Sequence, residues 1–269
     1  MAFETILYEK QDGVATITLN RPERHNAFNV AMARELKQAW ADVKASPEVV
    51  CAIVTAAGTR AFCTGMDVAE VASGSAPEEA RRTEREQGKP FYRFLTAIQN
   101  RCWKPVVTAV NGMVVGGGLH FVADSDLVVC SEEATFFDTH VKVGLVAGLE
   151  PVGLARRIPL EAVLRLALLG GSERMDARTA LAVGLVGEVL PPDRVLPRAR
   201  ELAAMISQHS PTALALSKRA IWESLDVGLE AALERTWKLI QGHGEHPDLA
   251  EGTRAFVEKR KPRWAPYSE

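Results

Sequence analysis

Short apolar runs rich in β-branched residues recur at 14–19, 49–55, 105–110 and 126–130, with helical or turn-forming stretches between them. Strands that alternate with helices at this spacing call for βαβ connections and a parallel sheet. Beyond residue 159 the pattern becomes mostly helical, and Pro191, Pro192, Pro197 and Pro211 punctuate successive helices. The expected architecture is α/β, with a core over residues 1–190 and a helical C-terminal subdomain over 191–269. No internal repeat or low-complexity linker separates the two.

Residues 6–9 and 14–19 read as a hairpin around Gln11, Asp12 and Gly13. A polar loop over 20–29 leads into an amphipathic helix over 30–44. The stretch 77–100 has a helical pattern and opens with EEARRTERE, a run that reads as a solvated face. Residues 116–123 form a turn entering a helix.

A core of this size needs apolar material, and 47% of the 269 residues are hydrophobic. Lysine and arginine total 32 against 34 acidic residues, so the net charge of −2 gives no reason to expect nucleic acid or an anionic membrane as partner. Any anion site must be local. Cys51, Cys63, Cys102 and Cys130 lie far apart with no Cys-x-x-Cys spacing, which predicts reduced thiols in a cytoplasmic protein. The segment MAFETILYEKQDG lacks an apolar leader core, and no run approaches the roughly 20 apolar residues needed to span a bilayer. Secretion and membrane insertion are not expected.

Four segments carry a resemblance: LNRPERHNAF at 19–28, AFCTGMD at 61–67, AVNGMVVGGG at 109–118 and EGTRAF at 251–256. A glycine triplet alone could be only a tight turn. Together, in this order and spacing, the four resemble the crotonase, or enoyl-CoA hydratase/isomerase, superfamily over nearly the whole chain. The resemblance implies a spiral of repeated ββα units, a homotrimer or homohexamer, an acyl-coenzyme A thioester as substrate, and no metal or redox cofactor, coenzyme A arriving as part of the substrate.

A thioester gives up its α-proton only if the charge appearing on its oxygen is stabilised, and prepositioned N–H donors do this without reorganisation. By resemblance the donors are the backbone N–H groups of Met66 and Gly117. Glycine also permits close backbone approach, and the helix after it aims its positive end at the oxyanion. The same resemblance lines the coenzyme A pocket with Arg24, Ala27, Ala61, Phe62, Thr64 and Val68, with Asp67 beside them, where an aspartate opening a helix is expected to cap it. Phe256 and Lys259 resemble the pair that reaches the nucleotide of a neighbouring subunit. For Lys259 a solvated helix C-terminus, favoured by the helix dipole, is the equal alternative.

Hydratases of the family carry two glutamates, and the corresponding positions here hold His120 and His140. Imidazole can accept or donate a proton near neutrality, so both are candidate general acid–base groups. Asp124, one helical turn after His120, is expected to orient its ring. Asp138 precedes His140 by two residues, and Glu150 either caps a helix start or projects toward the thioester. The remaining histidines, His25, His209, His243 and His246, receive no chemistry.

The leading expectation is an enoyl-CoA hydratase-like lyase. One rival is a crotonase-type hydrolase that cleaves a β-dicarbonyl thioester by a retro-Claisen step. Another is a crotonase fold that has lost catalysis and serves as a binding or scaffold protein. A nucleic-acid-binding role has only the KRKPRW tail and the arginines at 81–85 in its favour, and ranks last.

Overall fold

The computed structural model describes residues 3–69 and 93–267. Strands β1 (Ile6–Gln11) and β2 (Val14–Leu19) pair as an antiparallel hairpin. Asp12 and Gly13 both have positive φ, 51° and 80°, as the tight turn between twisted strands requires. Strand β2 then lies parallel to β3 (Cys51–Ala56), β3 to β5 (Val106–Val110), β5 to β7 (Leu127–Ser131) and β7 to β10 (Glu188–Leu190). This makes a six-stranded sheet in the order β1-β2-β3-β5-β7-β10.

The strands missing from that order build a second sheet. It runs β4 (Ala61–Cys63), β6 (Met113–Val115), β8 (Thr135–Phe137) and β9 (Met175–Asp176). Each successive pair, β3/β4, β5/β6 and β7/β8, gives its first member to the large sheet and its second to the small one. Helix α2 (His120–Ala123) follows β6, and α3 (Leu149–Leu154) and α4 (Leu160–Leu168) follow β8. The chain therefore winds as the spiral of ββα units that the resemblance implies.

The large sheet is covered on both faces, which is why β3 and β5 read as continuous apolar runs rather than alternating ones. Along β3, Ala52 and Val54 face the main core with Val106, Val110 and Val128. The alternate residues Cys51, Ile53, Val107, Ala109 and Val129 meet Val195, Ala199 and Ala203 of α6 (Val195–Ile206). Helix α1 (Val30–Ala45) covers the main core with Met32, Leu36, Ala39, Trp40 and Val43, the three-and-four spacing of one helical face. Asn29 caps it by accepting the Met32 N–H at 2.9 Å. The Trp40 indole N–H, otherwise an orphan in the core, donates to the Leu95 carbonyl at 2.9 Å.

After α5 (Ala177–Ala182), the chain beyond β10 is helical: α6 is followed by α7 (Pro211–Ser224), α8 (Leu229–His243) and α9 (Pro247–Val257). Proline at the first turn of α7 and α9 sets these starts, since its missing N–H has no intrahelical acceptor there. The mostly helical reading after residue 159 needs correction at β9 and β10, which return to the two sheets. At two and three residues, neither is long enough to show a period in the sequence. The helix expected over 77–100 lies largely outside the described residues, and its described end, 93–100, is a series of turns and bends. All four cysteines are buried thiols, and no disulfide joins them. No described helix is long and apolar enough to cross a membrane.

Candidate active site

Two loops meet with almost no space between their backbones. Gly65, at φ +85°, lies so close to Gly117 that a Cβ on Gly65 would sit 2.9 Å from the Gly117 nitrogen. A Cβ on Gly117 would meet the Phe28 ring at 2.8 Å, and one on Gly118 would stand 2.3 Å from the Cys63 carbonyl oxygen. Real side chains do not tolerate such distances, so the three positions are glycine for want of room.

The 61–68 loop is held in this place by the 20–29 loop. Phe28 donates its N–H to the Gly65 carbonyl at 2.8 Å, and Asp67 donates to the Phe28 carbonyl at 2.9 Å, a strand-like bridge that brackets Met66. Arg21 ties both loops together, donating to the Ala27 carbonyl at 2.6 Å and pairing with Asp67 at 2.9 Å. The buried Asn26 amide donates to the Ala57 and Ala61 carbonyls, each at 2.9 Å. Among the described residues, the N–H groups of Met66 and Gly117 find no backbone acceptor. Gly117 sits in the first turn of the short 3-10 helix Gly116–Leu119, where an N–H has no intrahelical partner.

Beside this pair lies a cluster of titratable groups. The His140 ring stands against Gly116, whose φ is +50° and whose Cβ would fall 3.4 Å from the ring carbon Cε1. Its Nδ1 meets both oxygens of the fully buried Asp138, at 2.9 and 3.0 Å, while its backbone N–H donates to Asp138 at 2.7 Å. The hydrogen bond to Asp138 raises the His140 pKa above 6.5, against the opposing effect of partial burial.

Glu150, on the first turn of α3 and only 5% exposed, lies between the two histidines. His120 Nε2 approaches its Oε1 at 3.2 Å. Burial alone would raise the Glu150 carboxyl, but the His120 contact and the His140 charge outweigh it and leave the group below the usual carboxylate range. Ligand-type atoms of Asp138, His140 and Glu150 all fall within 4.8 Å of one another. Both Asp138 oxygens are already engaged by His140, so these two form a hydrogen-bonded pair with the Glu150 carboxylate close beside it.

Residues 9–266 match the enoyl-CoA hydratase/isomerase family. The chain belongs to that family. A crystal structure of an enoyl-CoA hydratase/isomerase from Mycobacterium paratuberculosis superposes with a TM-score of 0.88 at 40% identity, covering 98% of this chain and 99% of that one. A mevalonyl-coenzyme A hydratase of Aspergillus fumigatus is 36% identical over 261 residues, 94% of this chain and 92% of its own. The (E)-benzylidenesuccinyl-CoA hydratase of Thauera aromatica is 33% identical over 258 residues, 96% of this chain and 97% of its own. The protein is thus an enzyme of the hydratase/isomerase family with the crotonase fold.

Within this family member, the expected residues fall into three groups. Met66, Gly117, His120, His140 and Glu150 come together around the glycine contact. Arg24, Ala27, Ala61, Thr64, Asp67 and Val68 lie on the two interlocked loops, with the Thr64 hydroxyl donating to the His25 carbonyl at 3.3 Å. Phe62 is a correction to the pocket lining: its ring is fully buried edge-on against Phe121, 5.8 Å between centroids, and has no surface for a ligand. Phe256, 86% exposed on α9, and Lys259 just past its end make no side-chain hydrogen bond or ion pair with either group among the described residues.

Two orienting roles also change. Asp124 does not bond the His120 ring; it reaches it through Gln99, whose Nε2 lies 3.2 Å from both Asp124 Oδ2 and His120 Nδ1. Asp67 serves as the partner of Arg21 in addition to opening the helix at Val68. Sequence reasoning passed over Arg21, Phe28, Gly65 and Gln99. The first three stood inside the quoted motifs, and their loop-bridging could have been sought there; Gln99 carried no signal.

The raised pKa has a consequence for stability. The His140–Asp138 pair contributes fully below the unfolded imidazole value of about 6.5, and the contribution is lost as pH rises through the higher folded value. Changing Asp138 to Asn removes the main cause, so the His140 pKa, followed by NMR titration, is expected to fall relative to the parent. An unchanged titration would show that Asp138 does not set it.

Proposed function

We propose that the chain is an enoyl-CoA hydratase-like enzyme acting on an acyl-coenzyme A thioester, with the enolate oxygen held by the Met66 and Gly117 N–H groups. The observation that supports this reading best is the placement of Glu150 and the Asp138–His140 dyad beside those two N–H groups. Hydration adds the hydroxyl of water to the β-carbon and a proton to the α-carbon. Glu150, kept ionised by its neighbours, takes the proton from the water; His140, kept protonated by Asp138, delivers one from Nε2 to the α-carbon. A proton then passes from Glu150 to His140 and restores both. The reaction moves no electrons to an acceptor, so it needs no redox cofactor, and the oxyanion donors supply the electrophile without a metal.

In this reading the expected pair His120 and His140 becomes Glu150 and His140, with His120 behind the carboxylate. The nucleotide of coenzyme A lies along Arg24, Thr64 and Val68, with the backbone of 64–67 forming the wall. Four buried thiols fit the cytoplasmic setting expected for the chain.

A retro-Claisen hydrolase is the second reading, favoured by the same Asp138–His140 contact. An imidazole whose Nδ1–H is held by a carboxylate presents Nε2 as a base for water, the orienting logic used by hydrolytic triads. The scaffold reading has less support, since both N–H donors and a paired proton network remain in place.

A panel of enoyl-CoA and β-ketoacyl-CoA thioesters, with products identified by mass spectrometry, separates these readings. Hydrated products are expected from the enoyl thioesters. Glu150→Gln and His140→Ala are each expected to lower kcat by roughly 10²–10⁴ with KM little changed, the range of positioned acid–base groups. Full turnover by both variants would overturn the assignment.

The helical part from 191 to 269 is proposed as the trimerisation subdomain. Leu229, Leu233, Trp237 and Ile240 form an exposed apolar stripe along one face of α8, and Phe256 and Val257 extend the exposed apolar surface on α9. There Phe256 and Lys259 would reach a neighbour's nucleotide site. Light scattering is expected to report a trimer or hexamer, and a monomer at micromolar concentration would refute this.

A further inference from the structure

His120 occupies a position where acid–base chemistry is expected, yet its ring nitrogens are not equivalent. The difference originates in Gln99, in the turns before β5. The Gln99 Oε1 accepts the Leu95 backbone N–H at 2.9 Å. That bond sets which way the amide faces: Nε2 points inward, 3.2 Å from Asp124 Oδ2 and 3.2 Å from His120 Nδ1. The opposite orientation would set the amide oxygen against the Asp124 carboxylate and the NH2 group against the Leu95 N–H. Thr96 braces the same carboxylate, its hydroxyl donating to Asp124 Oδ2 at 2.6 Å.

An amide NH2 has two protons and no acceptor capacity. One proton goes to Asp124 and the other to His120, so Nδ1 of His120 accepts. The proton of the neutral ring therefore sits on Nε2, the nitrogen 3.2 Å from Glu150 Oε1. His120 is only 3% exposed and has no water-facing edge through which to exchange roles.

We infer that Gln99 is a positioning residue: by donating to Nδ1 it locks His120 as an Nε2–H donor toward Glu150, so that His120 steadies the ionised carboxylate and does not itself shuttle protons. This rests on the reading of Glu150 as the acid–base group. Among the described residues, the charged and titratable groups around the His120–Glu150 contact are Asp124 at the end of α2, Arg93 near Asp124, and His140 with Asp138 after β8. Gln99 is the group within hydrogen-bond distance of Nδ1 among the described residues, and the carboxylates nearby can only accept.

The tautomer is tested without substrate by ¹⁵N NMR of the full chain, with the His120 signals assigned by their loss in His120→Asn. A neutral ring protonated at Nε2 is expected, and a ring protonated at Nδ1 would overturn the inference whatever the enzyme turns over. Gln99→Glu, which replaces the donor by an acceptor, is expected to place a proton on Nδ1. In kinetics with crotonyl-CoA, or the best enoyl thioester of the panel, Gln99→Leu is expected to lower kcat on the order of 10–100-fold, the range found for partners that fix the tautomer of a metal-bound histidine. KM is expected to stay within about twofold, since Gln99 does not touch the thioester in the proposed pose.

The pH profile is the readout that mere structural damage would not move. Loss of a donor to a carboxylate raises the carboxylate's pKa, so the acidic limb of kcat is expected to shift to higher pH in Gln99→Leu. A parental profile and parental kcat in that variant would overturn the positioning role. If the tautomer is as stated but Glu150→Gln is fully active, the reading of Glu150 fails while the assignment of the His120 proton stands.

Discussion

The contact between Gly65 and Gly117 is the constraint on which the rest of the site depends. Two backbones approach where a single methyl group on either would collide with a neighbour. That closeness brings the Met66 and Gly117 segments together from two strand pairs of the spiral. Their separate supports follow from it. Phe28 bridges one loop and packs its ring against the other, while Arg21 and Asn26 satisfy the carbonyls that the tight crossing leaves over. Donors fixed this firmly need no rearrangement as charge develops on an oxygen, and each can contribute roughly 10²–10³ in rate.

Next to this rigid backbone feature sits an electrostatic one. Burying carboxylates is costly unless they are paired and hydrogen-bonded. Asp138 is paired with His140, and Glu150 is flanked by both histidines. The opposite shifts of His140, upward, and Glu150, downward, keep a donor and an acceptor side by side. A third buried carboxyl, Asp124, is pushed up by burial and is satisfied by Thr96 and Gln99. In the proposed mechanism these groups form two layers: one that moves protons and one that holds the first in place.

Much of this was legible in the sequence, for identifiable reasons. The apolar runs 49–55 and 105–110 announced strands of a parallel sheet, and Asp12-Gly13 announced its hairpin turn, because local chemistry alone decides those features. The second sheet was not legible, since strands such as Ala61–Cys63 and Met113–Val115 are three residues long and owe their form to each other. The motifs pointed to the right loops but could not show that Phe62 turns inward to the core. His120 and His140 were recognised as unusual, whereas Glu150 was left between two roles until the fold placed it between them. Gln99 was invisible, because its meaning lies in a contact 21 residues away in sequence.

The central claim is that the two N–H groups stabilise an enolate whose α-proton comes and goes through His140, while Glu150 activates the water. Exchange of the α-hydrogens of a saturated thioester, butyryl-CoA in deuterated water followed by mass spectrometry, tests it without requiring addition to a double bond. The account predicts deuterium at the α-carbon with the parent enzyme and little or none with His140→Ala. Hydration of enoyl thioesters by a parent enzyme that exchanges no α-hydrogen would contradict it.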